Sequence, residues 1–134
     1  MGKTKKVKGT KQTLEYQEAP FKWHVSNIKC KTDHQKEFLK LINSKEIVIA
    51  EGPAGVGKSY LALYAALKLL EKGEFNKITL VKSVTPLPEE ELGALPGDIY
   101  EKMSPFLYSF IGNLDKLVGE ETRKYLMKNK LIDI

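Results

Sequence analysis

The chain has 134 residues, 42% of them hydrophobic and 29% charged, which fits one globular domain and excludes two full domains or a low-complexity chain. Its apolar runs, around 47–50 and 61–70, are interrupted well short of the roughly 18 residues a membrane span needs, and the Lys-rich start has no apolar segment behind it of the kind a secretory signal carries. The formal charge of +5 lies in the tail: Lys3, Lys5, Lys6, Lys8 and Lys11 precede the first acid, Glu15, and the remainder holds 17 basic and 17 acidic side chains.

Residues 1–13 are polar and aperiodic and read as a disordered basic tail ahead of one folded unit over 14–134. Such a tail attracts phosphate backbones, RNA or single-stranded nucleic acid among them, although short Lys runs also serve as solubilising ends. From 14 to 25, Tyr16, Pro20, Phe21 and Trp23 predict an irregular segment packed on the body. Cys30 has no second cysteine to pair with, and it reads as a small half-buried hydrophobe in a reducing, cytoplasmic protein.

Thr32 or Asp33 is placed to cap a helix with Phe38, Leu39, Leu41 and Ile42 on its inner side, ending at Asn43-Ser44. The sequence EIVIAE at 46–51 is short, β-branched and apolar on both faces, as a buried parallel strand is. A glycine-rich loop follows, then a helix over 58–72 that is apolar on almost every side and ends at Gly73. KITLVK at 77–82 predicts a second strand, joined to the first by a right-handed β-α-β crossover. The acidic, proline-rich stretch from Ser83 to Asp98 is too long for a simple connection. Helices are expected over 98–117, interrupted at Ser104-Pro105, and over 120–130, with LIDI at 131–134 opening a third strand. The pattern is α/β, a parallel sheet with flanking helices.

The loop Gly52-Pro53-Ala54-Gly55-Val56-Gly57-Lys58-Ser59 matches G-x-x-x-x-G-K-[ST] in full, between a predicted strand and a predicted helix. Its glycines let successive backbone N–H groups turn inward on phosphate oxygens, and the helix start adds its free N–H groups and positive dipole end. Lys58 brings a full charge to the β- and γ-phosphates, and the Ser59 hydroxyl is suited to Mg²⁺. Residues 52–60, through Tyr60, are therefore the candidate nucleotide contacts, with Lys58 the candidate catalytic residue and Ser59 the candidate metal ligand.

In GPAGVGKSYLAL and, further on, ELGALPGDIYEKMSPF at 91–106, the chain resembles the PhoH-like P-loop ATPases, relatives of the superfamily 1 helicase core. The resemblance runs from about Thr32 to Ile134. It implies a P-loop NTPase-type sheet, ATP and Mg²⁺ as ligands, ATP hydrolysis in the complete core, and work on RNA or single-stranded nucleic acid. It leaves open whether the protein forms a homo-oligomer. Gln35, 17 positions before Gly52, matches the relatives' adenine-reading glutamine, and its alternative is a solvent-facing side chain on a helix.

Three departures stand against the family pattern. Lys82-Ser83 replaces an Arg-Pro, Glu89 replaces the glycine ahead of Glu90, Leu92 and Gly93, and no apolar strand here ends in the Asp-Glu of a Walker B motif. Asp133 lies ahead of that motif's expected place and reads as structural. The acidic run Glu89, Glu90 and Glu91 is a candidate reach into the site or a solvated surface, and Arg123 a candidate finger in trans or a surface residue. An incomplete core is therefore expected. The rival function is a non-catalytic nucleotide-binding module acting through a partner; a small P-loop kinase is disfavoured by the 91–106 block.

Overall fold

The computed structural model describes residues 20–83 and 99–134, with the backbone alone over 99–106. The tail, Tyr16 and the acidic run at 89–91 lie outside the described residues, as does all of the 91–106 block before its helical end. Six elements follow in chain order: α1 (Asp33–Ser44), α2 (Lys58–Glu71), β1 (Ile78–Thr79), α3 (Ile99–Val118), α4 (Glu120–Lys128) and β2 (Ile132–Asp133).

The apolar helix α2 organises the rest. Leu63, Leu67 and Leu70 pack in one cluster with Leu114 and Leu117 of α3, Leu126 of α4, Ile78, Ile132 and Val25. Leu67, Leu114, Leu117 and Leu126 have no exposed surface, and burying each such side chain is worth about 1.5–3 kcal/mol. At its C-terminus, the Gly73 amide donates to the Leu70 carbonyl at 3.0 Å and the Glu74 amide to Leu69 at 3.1 Å, a Schellman closure that satisfies two orphan carbonyls. The helix therefore stops where the glycine predicted.

From residue 20 on, the segment before α1 packs on this body, while 14–19 of the expected segment lie outside the described residues. Val25 is fully buried, the Ser26 amide donates to the Leu117 carbonyl at 2.8 Å, and Phe21 stacks on Tyr125 with centroids 4.2 Å apart. Cys30 is half-buried. Glu71 of α2 accepts from His24 and lies 3.6 Å from Lys68, whose Nζ also donates to the Val25 carbonyl at 3.3 Å.

Strands β1 and β2 pair in parallel, Ile78 with Ile132 and Thr79 with Asp133. The Leu80 amide extends the ladder to the Asp133 carbonyl at 2.8 Å. Within LIDI, Ile132–Asp133 form a strand, and α3 and α4 lie between it and β1 in the chain. The architecture is mixed helix with a short parallel sheet.

Five expectations are corrected. Residues 46–51 form no strand: Ile47 and Ile49 are 83% and 90% exposed, because parallel pairing is non-local and the segment has no partner strand among the described residues. The crossover expected from it is therefore not formed, and KITLVK is ordered into a strand only at Ile78–Thr79, with Val81 86% exposed. Helix α1 buries none of its residues; Phe38, Leu39 and Ile42 are half-covered and Leu41 is exposed. Finally, α3 runs unbroken through Ser104-Pro105, because the proline removes a single N–H bond from a helix of 20 residues.

Candidate functional site

The phosphate loop is positioned from both sides. The core holds α2, and α2 begins at Lys58, immediately after Gly57, which stands at the helix N-cap with φ +92°. Gly55 has φ +82°. Side-chain-bearing residues avoid this left-handed region, so the two glycines permit a turn that brings the chain from 52 into a helix start. The Gly57 carbonyl accepts from the Leu61 amide at 2.9 Å, whereas the amides of the first helical turn have no acceptor within the helix.

The Lys58 side chain folds back over the loop, its Nζ donating to the Gly52 carbonyl at 2.6 Å and the Pro53 carbonyl at 2.7 Å. This is a latch made by a cation on two neutral acceptors. An anion at the same place offers the ammonium a stronger, charge-assisted partner. Ser59 is exposed in the first turn of α2, while Tyr60 packs against the core. Pro53, Ala54 and Val56 are exposed on the loop.

Helix α1 closes the other side. Thr32 and Gln35 form a capping box: the Gln35 amide donates to Thr32 Oγ1 at 3.2 Å and the Thr32 amide to Gln35 Oε1 at 3.3 Å. Gln35 Oε1 also accepts from the Lys31 amide at 2.6 Å, and its Nε2 donates to the Val56 carbonyl at 3.1 Å. Gln35 is thus neither solvent-facing nor free. It ties α1 to the phosphate loop, a link that the Thr-x-x-Gln spacing foreshadowed only in part. Between them is a cavity of about 840 Å³ lined by Ile28, Phe38 and Leu41 and by Gly52, Gly57 and Lys58, within the usual range of ligand pockets.

Other candidates have local partners. Arg123 donates to Asp115 at 2.5 Å across the α3–α4 corner, and Asp133 accepts from Lys77 at 2.9 Å. That bond and the lysine's charge hold the Asp133 carboxyl below its ordinary value. Lys82 stands 5.7 Å from the Phe110 ring centroid. Burial pushes the Glu71 carboxyl up, but the His24 hydrogen bond and the charge of Lys68 outweigh it and leave the group below its ordinary value. No helix among the described residues is long and apolar enough to cross a membrane.

A glycine-rich loop thus opens a helix, and its lysine is among the residues that line the cavity. Residues 27–134 match the PhoH-like protein family, and the chain belongs to it. It is 33% identical over 130 residues to a PhoH-like protein of Bacillus subtilis (strain 168), covering 92% of this chain and 40% of that one. It is 31% identical over 107 residues to a PhoH-like protein of Synechocystis sp., covering 80% and 32%. With Protein PhoH of Escherichia coli (strain K12) the identity is 30% over 106 residues, covering 79% and 30%. The chain spans well under half the length of these relatives and corresponds to a portion of them. No solved structure matches it.

Proposed function

We propose that residues 14–134 are the nucleotide-binding part of a P-loop NTPase-type core and that the chain binds Mg-ATP at 52–60. The observation that carries this reading is the loop itself, turned at Gly55 and Gly57 into the start of α2 with Lys58 latched across it. The residues fit the ligand: backbone amides and the α2 N-terminus for phosphate oxygens, Lys58 for their charge, the Ser59 hydroxyl for Mg²⁺, and an apolar-walled cavity beside them. Mg²⁺, when bound, neutralises phosphate charge. Lys58 exchanges its two carbonyl partners for phosphate oxygens.

Lys58→Ala tests the assignment. Losing charge-assisted bonds of about 1.5–3 kcal/mol weakens Mg-ATP about ten- to hundredfold in a calorimetric titration. Equal curves for both proteins defeat it.

Hydrolysis belongs, in this reading, to the complete family core, where an acid holds the metal and a further group orients water. The second reading is a binding module that acts through a partner. This chain alone is expected to release phosphate slowly or not at all. Lys58-dependent turnover near about 1 s⁻¹ or above contradicts that. RNA or another single strand is the proposed partner of the tail, and the cytoplasm the proposed compartment.

A further inference from the structure

The carboxamide of Gln35 is engaged on both sides by its own chain. Its oxygen accepts from the amides of Lys31 at 2.6 Å and Thr32 at 3.3 Å, and its nitrogen donates to the Val56 carbonyl at 3.1 Å. Backbone amides only donate and a carbonyl only accepts, so these partners fix which end of the side chain is oxygen. Both lone pairs of that oxygen are taken, and one amide hydrogen is left over.

Pairing with the adenine edge needs a free acceptor for the N6 amino group and a donor for N7. Guanine also presents N7, but it carries an acceptor, O6, where adenine has its amino group. The single hydrogen left on Gln35 can be donated to N7, which both bases carry, or to guanine O6, and no acceptor is left on the side chain for the adenine amino group, so Gln35 gives adenine no advantage over guanine. Gln35 is the one carboxamide lining the cavity among the described residues, and the apolar Ile28, Phe38 and Leu41 beside it favour the face of either purine alike.

The Val56 carbonyl that Gln35 holds lies between Gly55 and Gly57, both with positive φ. It shares a planar trans peptide with the Gly57 N–H, so fixing the carbonyl toward α1 fixes the direction of that N–H on the opposite side. A Cβ built on Gly57 would lie 3.8 Å from Gln35 Nε2, which places the carboxamide directly against this turn.

We infer that Gln35 is a positioning residue that sets the phosphate loop against α1, and that the site takes adenine and guanine triphosphates with little preference between them. This rests on the nucleotide reading above and deepens it. The test is calorimetric titration of the full chain with Mg-ATP, Mg-GTP and Mg-tripolyphosphate, which has no base. Two variants are compared: Gln35→Met, which removes the donor without adding charge, and Gln35→Glu, which keeps acceptors for the capping box but has no donor. Thermal unfolding of each variant checks that it is folded.

The unsubstituted chain is expected to bind ATP and GTP within about threefold of each other, and both variants to lose about two- to tenfold for all three ligands by the same factor. GTP about tenfold or more weaker than ATP, with the gap closing in Gln35→Met while tripolyphosphate is unchanged, makes Gln35 a base reader and overturns the inference alone. Unaltered binding in both variants overturns the positioning role. If not even tripolyphosphate binds the unsubstituted chain, the nucleotide reading itself fails and takes this inference with it.

Discussion

The two ends of helix α2 are held in different ways. Its C-terminal half is surrounded: Leu63, Leu67 and Leu70 meet α3, α4, both strands and Val25, and the helix end is closed by Gly73. Its N-terminal end faces a loop and a helix, α1, that buries none of its residues; Gln35 ties α1 to the loop, and Lys58 folds back on the loop's own carbonyls. Apolar burial is non-directional and fixes where α2 lies, whereas in the proposed site the two carbonyl bonds of Lys58 are exchanged for an anion and the bonds of Gln35 are kept.

The sharpest test of this contrast is Leu67→Ala. Removing a side chain with no exposed surface from the middle of the cluster should cost about 2–5 kcal/mol in urea unfolding, with the slope unchanged. A loss below about 1 kcal/mol would mean that the cluster is not the load-carrying half.

On the other side, Thr32→Ala removes one half of the capping box and should cost about 0.5–2 kcal/mol. The measurement is the same unfolding curve. A cost as large as that of Leu67→Ala would show α1 to be as integral as the core.

Acid probes the seam between Val25 and α2. The Glu71 carboxyl lies below its ordinary value in the folded chain, so its contribution to stability is full above its unfolded value and disappears as pH falls through the lowered one. In Glu71→Gln that portion of the acid-side loss should be missing from unfolding midpoints taken from neutral pH down to the acid limb. Parallel profiles for both proteins would show that the His24 and Lys68 contacts add nothing.

The smallest expected effect is at Ile49, 90% exposed. Ile49→Ser should move stability by no more than about 0.5 kcal/mol. A loss of about 2 kcal/mol would show that 46–51 is buried in the folded chain after all.

The sequence disclosed the elements whose signals are local. Thr32 marks a cap, Gly73 a C-terminal closure, and the spread of leucines over 58–72 a helix that is buried. The turn into α2 is legible because Gly55 and Gly57 stand directly ahead of the helical residues in the sequence. The state of 46–51 was not, because β-branched composition reports what a strand would look like and not whether a neighbouring strand is there to pair with it. Nor could the bond from Gln35 to the loop be read from its place in the chain. Its resemblance to an adenine reader says which residue type stands there, while the bond to Val56, 21 residues away, depends on how α1 meets the loop. Pro105 misled in the opposite direction, since a proline's local penalty is smaller than what the rest of a long helix supplies.

Amide hydrogen exchange with and without Mg-ATP measures both halves of the molecule at once. The account predicts slowed exchange at 52–60 and around Thr32–Gln35, with amides of the leucine cluster in α3 and α4 unchanged. Protection confined to the body, or no change in the loop at ligand concentrations that saturate binding, would contradict it.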